Sequence, residues 1–188
     1  IDFIGALAYD SINNGMWIGA NQGLFFYDLK HKQLCSPFAN RAAEDIRGCI
    51  GSIIDKNGQL WIGCLDGVYI IDLHSRPASS SDGVFRYRHL KYKLDDPSSG
   101  LIEKICCFYE AQDGILWLGS NGYGIYKCMQ DERGEVQFIC YNSLHGLPDN
   151  SIRGILEDDK GYIWIATNNG LSRFQPTENH FINYNRQD

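Results

Sequence analysis

All four tryptophans of this 188-residue chain stand in one local phrase, and that recurrence restricts the fold more than any other feature. The phrase reads Asn14-Gly15-Met16-Trp17-Ile18-Gly19, then Gly58-Gln59-Leu60-Trp61-Ile62-Gly63. It returns as Gly114-Ile115-Leu116-Trp117-Leu118-Gly119 and as Gly161-Tyr162-Ile163-Trp164-Ile165-Ala166. Tryptophans follow one another at 44, 56 and 47 residues, the spacing of a repeating supersecondary unit. Six residues after Trp come Gly23, Gly67 and Gly170; in the third copy Gly124 is one later, after Asn121-Gly122-Tyr123. Six or seven residues before Trp stand Asp10, Asp55 and Asp158, with Ala111 breaking the pattern.

Apolar, β-rich runs surround each phrase. Upstream are Ile4 to Tyr9, Cys49 to Ile54, Ile105 to Tyr109 and Ile152 to Leu156. Downstream come runs such as Leu24-Phe25-Phe26-Tyr27, a polar turn, and an aromatic segment such as Phe181-Ile182-Asn183-Tyr184. No stretch shows sustained helical periodicity, so the reading is all-β. Each unit is a four-stranded antiparallel blade, and the fold is a β-propeller segment over 1–188 with blades near 1–40, 46–94, 102–142 and 150–185. Trp17, Trp61, Trp117 and Trp164 are large enough to fill the wedge between neighbouring blades. Asp10, Asp55 and Asp158 suit turns in which a carboxylate accepts backbone N–H bonds, with Gly58, Gly114 and Gly161 taking backbone angles other residues resist. The position three after Trp is always small (Ala20, Cys64, Ser120, Thr167), as facing sheets require. The excursion from His74 to Gly83 extends the outer hairpin of the second blade, in preference to linking two domains.

Composition excludes several classes. A net charge of −6 argues against a nucleic-acid partner. The run from Phe85 to Lys93 alternates basic and aromatic residues, but a half-exposed outer strand with charged edge protection explains it better than base stacking. No run reaches the roughly 20 apolar residues of a membrane helix. The chain opens on Ile1-Asp2-Phe3 without Met, as a segment of a longer protein would. Seven cysteines, none in a Cys-x-x-Cys pair, read as small buried hydrophobes rather than a disulfide framework. The histidines His31, His74, His89, His145 and His180 lack metal-ligand spacing and read as solvated surface, so neither metal nor cofactor is implied.

No catalytic constellation stands out. The turn aspartates could pair as glycosidase carboxylates, but they occupy equivalent hairpins of successive blades and so lie apart. Ligand sites on propellers lie at the axial face, where loops lead into the innermost strands. Eleven residues before the turn glycine stand Arg47, Glu103 and Asn150, with Asp149, Arg153 and Tyr123 as neighbouring candidates. Tyr123, an aromatic beside glycine, could stack on a sugar ring.

The phrase Gly58-Gln59-Leu60-Trp61-Ile62-Gly63, preceded by Ile53-Ile54-Asp55, resembles the two-component regulator propeller repeat. The segments Gly146-Leu147-Pro148-Asp149-Asn150-Ser151-Ile152-Arg153 and Asp95-Asp96-Pro97-Ser98-Ser99-Gly100-Leu101-Ile102 are similar to the linkers between its blades. The departures are Ala111, Ala166 and the shifted Gly124. The resemblance implies the periplasmic sensor region of a hybrid two-component system of the kind found in gut Bacteroidetes. There the propellers are seven-bladed, the parent proteins membrane-anchored dimers, and the signals carbohydrate fragments that control polysaccharide-utilisation genes. Four blades would then be about half of a larger ring, with apolar end faces that favour self-association. A closed four-bladed ring would need much sharper wedging. The expected function is a non-catalytic sensor with an oligosaccharide ligand. The alternatives are a structural or protein-interaction propeller and a propeller lyase or glycosidase.

Overall fold

The computed structural model describes residues 3–38, 46–76, 85–91, 103–130 and 135–184. Sixteen strands form four sheets of four, each in simple sequence order and antiparallel throughout. The chain divides into two compact units, Ile1–Leu90 and Lys91–Asp188. The first unit holds β1 (Ile4–Asp10), β2 (Gly15–Ala20), β3 (Gly23–Asp28) and β4 (Gln33–Cys35), then β5 (Gly51–Ile54), β6 (Gln59–Cys64), β7 (Gly67–Asp72) and β8 (Arg86–Leu90). The second holds β9 (Ile105–Glu110), β10 (Leu116–Ser120), β11 (Ile125–Gln130) and β12 (Val136–Tyr141), then β13 (Ile152–Glu157), β14 (Ile163–Thr167), β15 (Gly170–Gln175) and β16 (His180–Tyr184). Among the described residues no α-helix forms, and no helix is long and apolar enough to cross a membrane. The fold is that of β-propeller blades, as the repeat predicts. The linker segment 95–102 and most of the excursion after His74 lie outside the described residues.

The recurring aspartate does more than hold its turn. Asp55 Oδ1 accepts the N–H groups of Asn57 and Gln59 at 3.0 and 2.8 Å, while Oδ2 accepts the Trp61 indole N–H at 2.8 Å. Asp158 repeats the arrangement with Lys160, Tyr162 and Trp164, the last at 2.8 Å. In the first blade, one residue longer in the turn, Asp10 accepts the Trp17 indole at 3.1 Å. Each carboxylate therefore ties the first hairpin to the second strand, and the Trp164 N–H holds the Asp158 carboxyl below its usual range. Three residues before Trp the backbone takes positive φ at Gly58, Gly114 and Gly161, and Asn14 takes that place in the first blade at 50°.

Tryptophan builds the contact between adjacent blades. In the first unit the Trp17 ring meets Phe26 of its own sheet at 5.1 Å and Phe85, which precedes β8 of the next, at 4.8 Å. In the second unit Trp117 meets Phe174 of the next sheet at 5.8 Å, edge to face. Edge-on aromatic pairs of this kind add about 0.5–1.5 kcal/mol beyond area burial. The sheets approach closely beside them. A Cβ on Gly19 would lie 2.7 Å from Cys49 Cβ, and one on Gly119 2.6 Å from Ile152 Cγ2, so at these two blade contacts the glycine is a packing requirement. Ala20, Cys64 and Ser120 are fully buried, while Thr167 is half-buried.

The outer sheet faces of each unit are apolar. Leu156, Trp164, Arg173 and Ile182 stand in one cross-strand row of β13–β16, and no sheet of the second unit covers it. Leu7 and Tyr9, exposed by 61% and 55%, open the face of β1–β4 away from Trp17.

Two sequence expectations are adjusted. All seven cysteines are free thiols, but only Cys49, Cys64 and Cys128 are buried; Cys35, Cys106, Cys107 and Cys140 are half-buried. His89 is not a solvated surface group: it stacks on Tyr69 at 3.9 Å between ring centroids. Two aromatic members of the Phe85–Lys93 run likewise take part in packing, while Tyr92 lies outside the described residues. Phe85 is buried against Trp17, and Tyr87 lies 4.6 Å from Phe38.

Candidate functional site

In the second unit the loops that lead into β9 and β13 and the turns β10–β11 and β14–β15 all lie at one edge of the two sheets, by the antiparallel order of the strands. Backbone bonds lock them together. Asn121 N–H donates to the Lys104 carbonyl at 3.0 Å, and the N–H groups of Gly122 and Gly124 both donate to the Asn150 carbonyl, at 3.2 and 2.8 Å. Asn168 N–H donates to the Ser151 carbonyl at 3.1 Å. Asn121 and Ser151 also form an isolated antiparallel bridge.

On this edge the structure brings several candidates into contact. The Tyr123 hydroxyl donates to Glu103 Oε2 at 3.4 Å, and the Lys104 ammonium lies 5.8 Å from the Tyr123 ring centre. Asn150 serves the scaffold with both oxygens: its carbonyl receives the two glycine N–H groups, and its Oδ1 receives Ser143 N–H at 2.7 Å. Asp149 Oδ1 accepts Ser151 N–H at 2.6 Å, so this carboxylate shapes the turn ahead of β13. Exposed Arg153 donates through Nε to Asn168 Oδ1 at 2.7 Å. The outcome is an edge with an aromatic ring, an ammonium, a guanidinium and a carboxylate, all on a backbone frame that leaves little room to move. Such groups bind hydroxylated ligands by stacking and hydrogen bonding, and no nucleophile–base pair is among them.

Arg47 belongs to the first unit, exposed just ahead of Gly48 and β5. Nothing in the repeat pattern marks Lys104 or Asn168. Lys104 takes φ of 53°, a backbone state uncommon for lysine that its sequence does not announce. Asn168 enters through its bond to Arg153, a contact 15 residues apart with no sequence signal. Among the described residues no group of three or more His, Cys, Asp and Glu side chains could hold a metal.

Residues 146–169 match the two component regulator propeller family. No curated protein matches the chain. Among solved structures, the extracellular domain assigned to the hybrid two component system BT3049 of B. thetaiotaomicron is similar over 98% of this chain and 23% of its own, at 23% identity and TM-score 0.70. PorZ of Porphyromonas gingivalis, a surface component of the type-IX secretion system, matches 98% of this chain and 27% of its own at 18% identity and TM-score 0.62. Virginiamycin B lyase of Staphylococcus aureus matches 98% of this chain and 56% of its own at 15% identity and TM-score 0.60. The chain thus spans about a quarter of the BT3049 domain's length. At these identities the likenesses establish the propeller fold, and the match over 146–169 establishes that the chain carries the two component regulator propeller repeat.

Proposed function

We propose that this chain, a two component regulator propeller segment, is part of the extracytoplasmic sensor of a hybrid two-component system and binds carbohydrate fragments without transforming them. The observation that carries the reading is the edge formed by Glu103, Lys104, Tyr123, Asn150 and Arg153. A tyrosine ring flanked by charged hydrogen-bonding groups on a rigid frame is suited to a sugar face and its hydroxyls. The family repeat supports a place in signalling, because fold alone does not fix function. Signal would come from a ligand that prefers one of two arrangements of the receptor, since equal affinity shifts nothing. Control of polysaccharide-utilisation genes, a periplasmic location, a membrane-anchored parent and self-association through the apolar outer faces complete the proposal.

The test is a thermal-shift screen of the chain against the neutral malto-, xylo- and cello-oligosaccharides, with chromatography of each sugar afterwards. A rise in Tm with one class, no new product, and loss of the rise in Tyr123→Ala support the sensor. Turnover of the sugar would favour the lyase or glycosidase alternative. No shift with any member would favour a protein-interaction propeller.

A further inference from the structure

The aspartate–tryptophan pair is present in three sheets and missing from the third, where Ala111 stands in the aspartate's place. The turn itself is unchanged. Ala111 N–H donates to the Ile115 carbonyl and receives Gly114 N–H on its own carbonyl, both at 2.9 Å, as Asp55 does with Gln59 and Gly58 and Asp158 with Tyr162 and Gly161. Trp117 keeps the register of the other tryptophans, opposite Tyr109 as Trp61 is opposite Ile53 and Trp164 opposite Leu156. Asp113 takes over part of the lost role, its Oδ1 accepting Ile115 N–H at 2.9 Å. No described residue, however, accepts the indole N–H of Trp117, whose side chain is 1% exposed.

A cleft of about 310 Å³ opens there, within the second unit, lined among others by Ala111, Asp113, Trp117, Lys127, Glu157 and Thr177. It lies at the opposite edge of the sheets from Tyr123. Lys127 is the cross-strand partner of Trp117 and shares its face; Phe26 and Ile70 hold that position in the first two sheets. Half-buried Lys127 forms no ion pair with any described residue. The cleft therefore offers an indole N–H and an ammonium, donors without an acceptor, where the repeat elsewhere places a carboxylate. Across the cleft, Glu157 accepts Gln112 N–H at 2.7 Å and Asp113 accepts Ile115 N–H. Both keep lone pairs for hydroxyl donors, and both repel a second acid.

We propose that this cleft binds a small hydroxylated monocarboxylate, of the sugar-acid class. Its carboxylate occupies the place of the missing aspartate, accepting from Trp117 Nε1–H and Lys127, and its hydroxyls donate to Glu157 and Asp113. The proposal is independent of the edge around Tyr123.

The test uses ¹⁵N-labelled chain titrated with sodium D-glucuronate, D-glucose or sodium chloride, following the indole N–H resonances. The expected result is a saturable shift of the one resonance that Trp117→Phe deletes, with glucuronate alone. Ala111→Asp, which supplies the repeat's own carboxylate, removes the response, and Lys127→Met weakens it about tenfold or more. The inference is overturned if glucose or sodium chloride produces the same shift, if glucuronate produces none, or if Ala111→Asp still responds, any of which leaves water as the cleft's occupant.

Discussion

Asp55 receives two backbone N–H groups and the Trp61 indole on one carboxylate, so truncating it leaves three donors unmatched inside one hairpin. Asp55→Ala should destabilise the chain by about 3 kcal/mol, measured by urea unfolding. The same logic runs in reverse at Ala111. Restoring the carboxylate on an unchanged turn gives Trp117 an acceptor, and Ala111→Asp should stabilise by about 1 kcal/mol, or about 4–8 °C in Tm for a unit of this size. Asp28 contributes to the acid limb. Hydrogen bonds from the His31 backbone and ring lower its carboxyl to about 2. A carboxyl held low in the folded state contributes stability above its unfolded value near 4 and loses that contribution as pH falls toward 2. Asp28→Asn should flatten the stability profile between about pH 4 and 2 and leave its shape above pH 5 unchanged, by thermal melts across that range.

At the scale of the strand and the blade, the stabilising element is the face on which one sheet's tryptophan meets the next sheet's aromatic. Phe174 is fully buried against Trp117 and Tyr141, and Phe174→Ala should cost about 3–5 kcal/mol by denaturant unfolding. The four-strand blade and its tryptophan were legible in the sequence because period-2 patterning, the turn glycines and the Trp phrase all report local geometry. The partner aromatics were less so. Phe85 lies before its strand and Phe174 within one, so the two interfaces fill the same wedge from different register positions. The indole-to-aspartate bond was also hidden: the spacing marked the aspartate as a turn residue, and only the folded hairpin aims the indole back at it.

For the molecule as a whole, the candidate edge was partly legible. Glu103 and Asn150 stand at equivalent places in the repeat and Tyr123 was marked as an aromatic beside glycine; Tyr123 bonds Glu103, and the glycines flanking it bond Asn150. Asp149 proves to be committed to its turn, and Lys104 enters through a backbone state that composition does not encode. The Ala111 cleft showed in the sequence only as a break in a pattern, since an absent carboxylate has no residue to mark it. The apolar outer faces carry the proposal of self-association. Light scattering over a concentration series should give a mass above the 21.3 kDa of one chain, and Leu156→Glu with Ile182→Glu should return it toward the monomer. The most direct test of the sensor reading is a hydrogen-exchange footprint of the chain with the neutral oligosaccharide that raises its Tm. The account predicts protection confined to 103–106, 120–124 and 149–153, without cleavage of the sugar. Protection elsewhere with these segments unchanged, or no footprint with any neutral oligosaccharide, would contradict it.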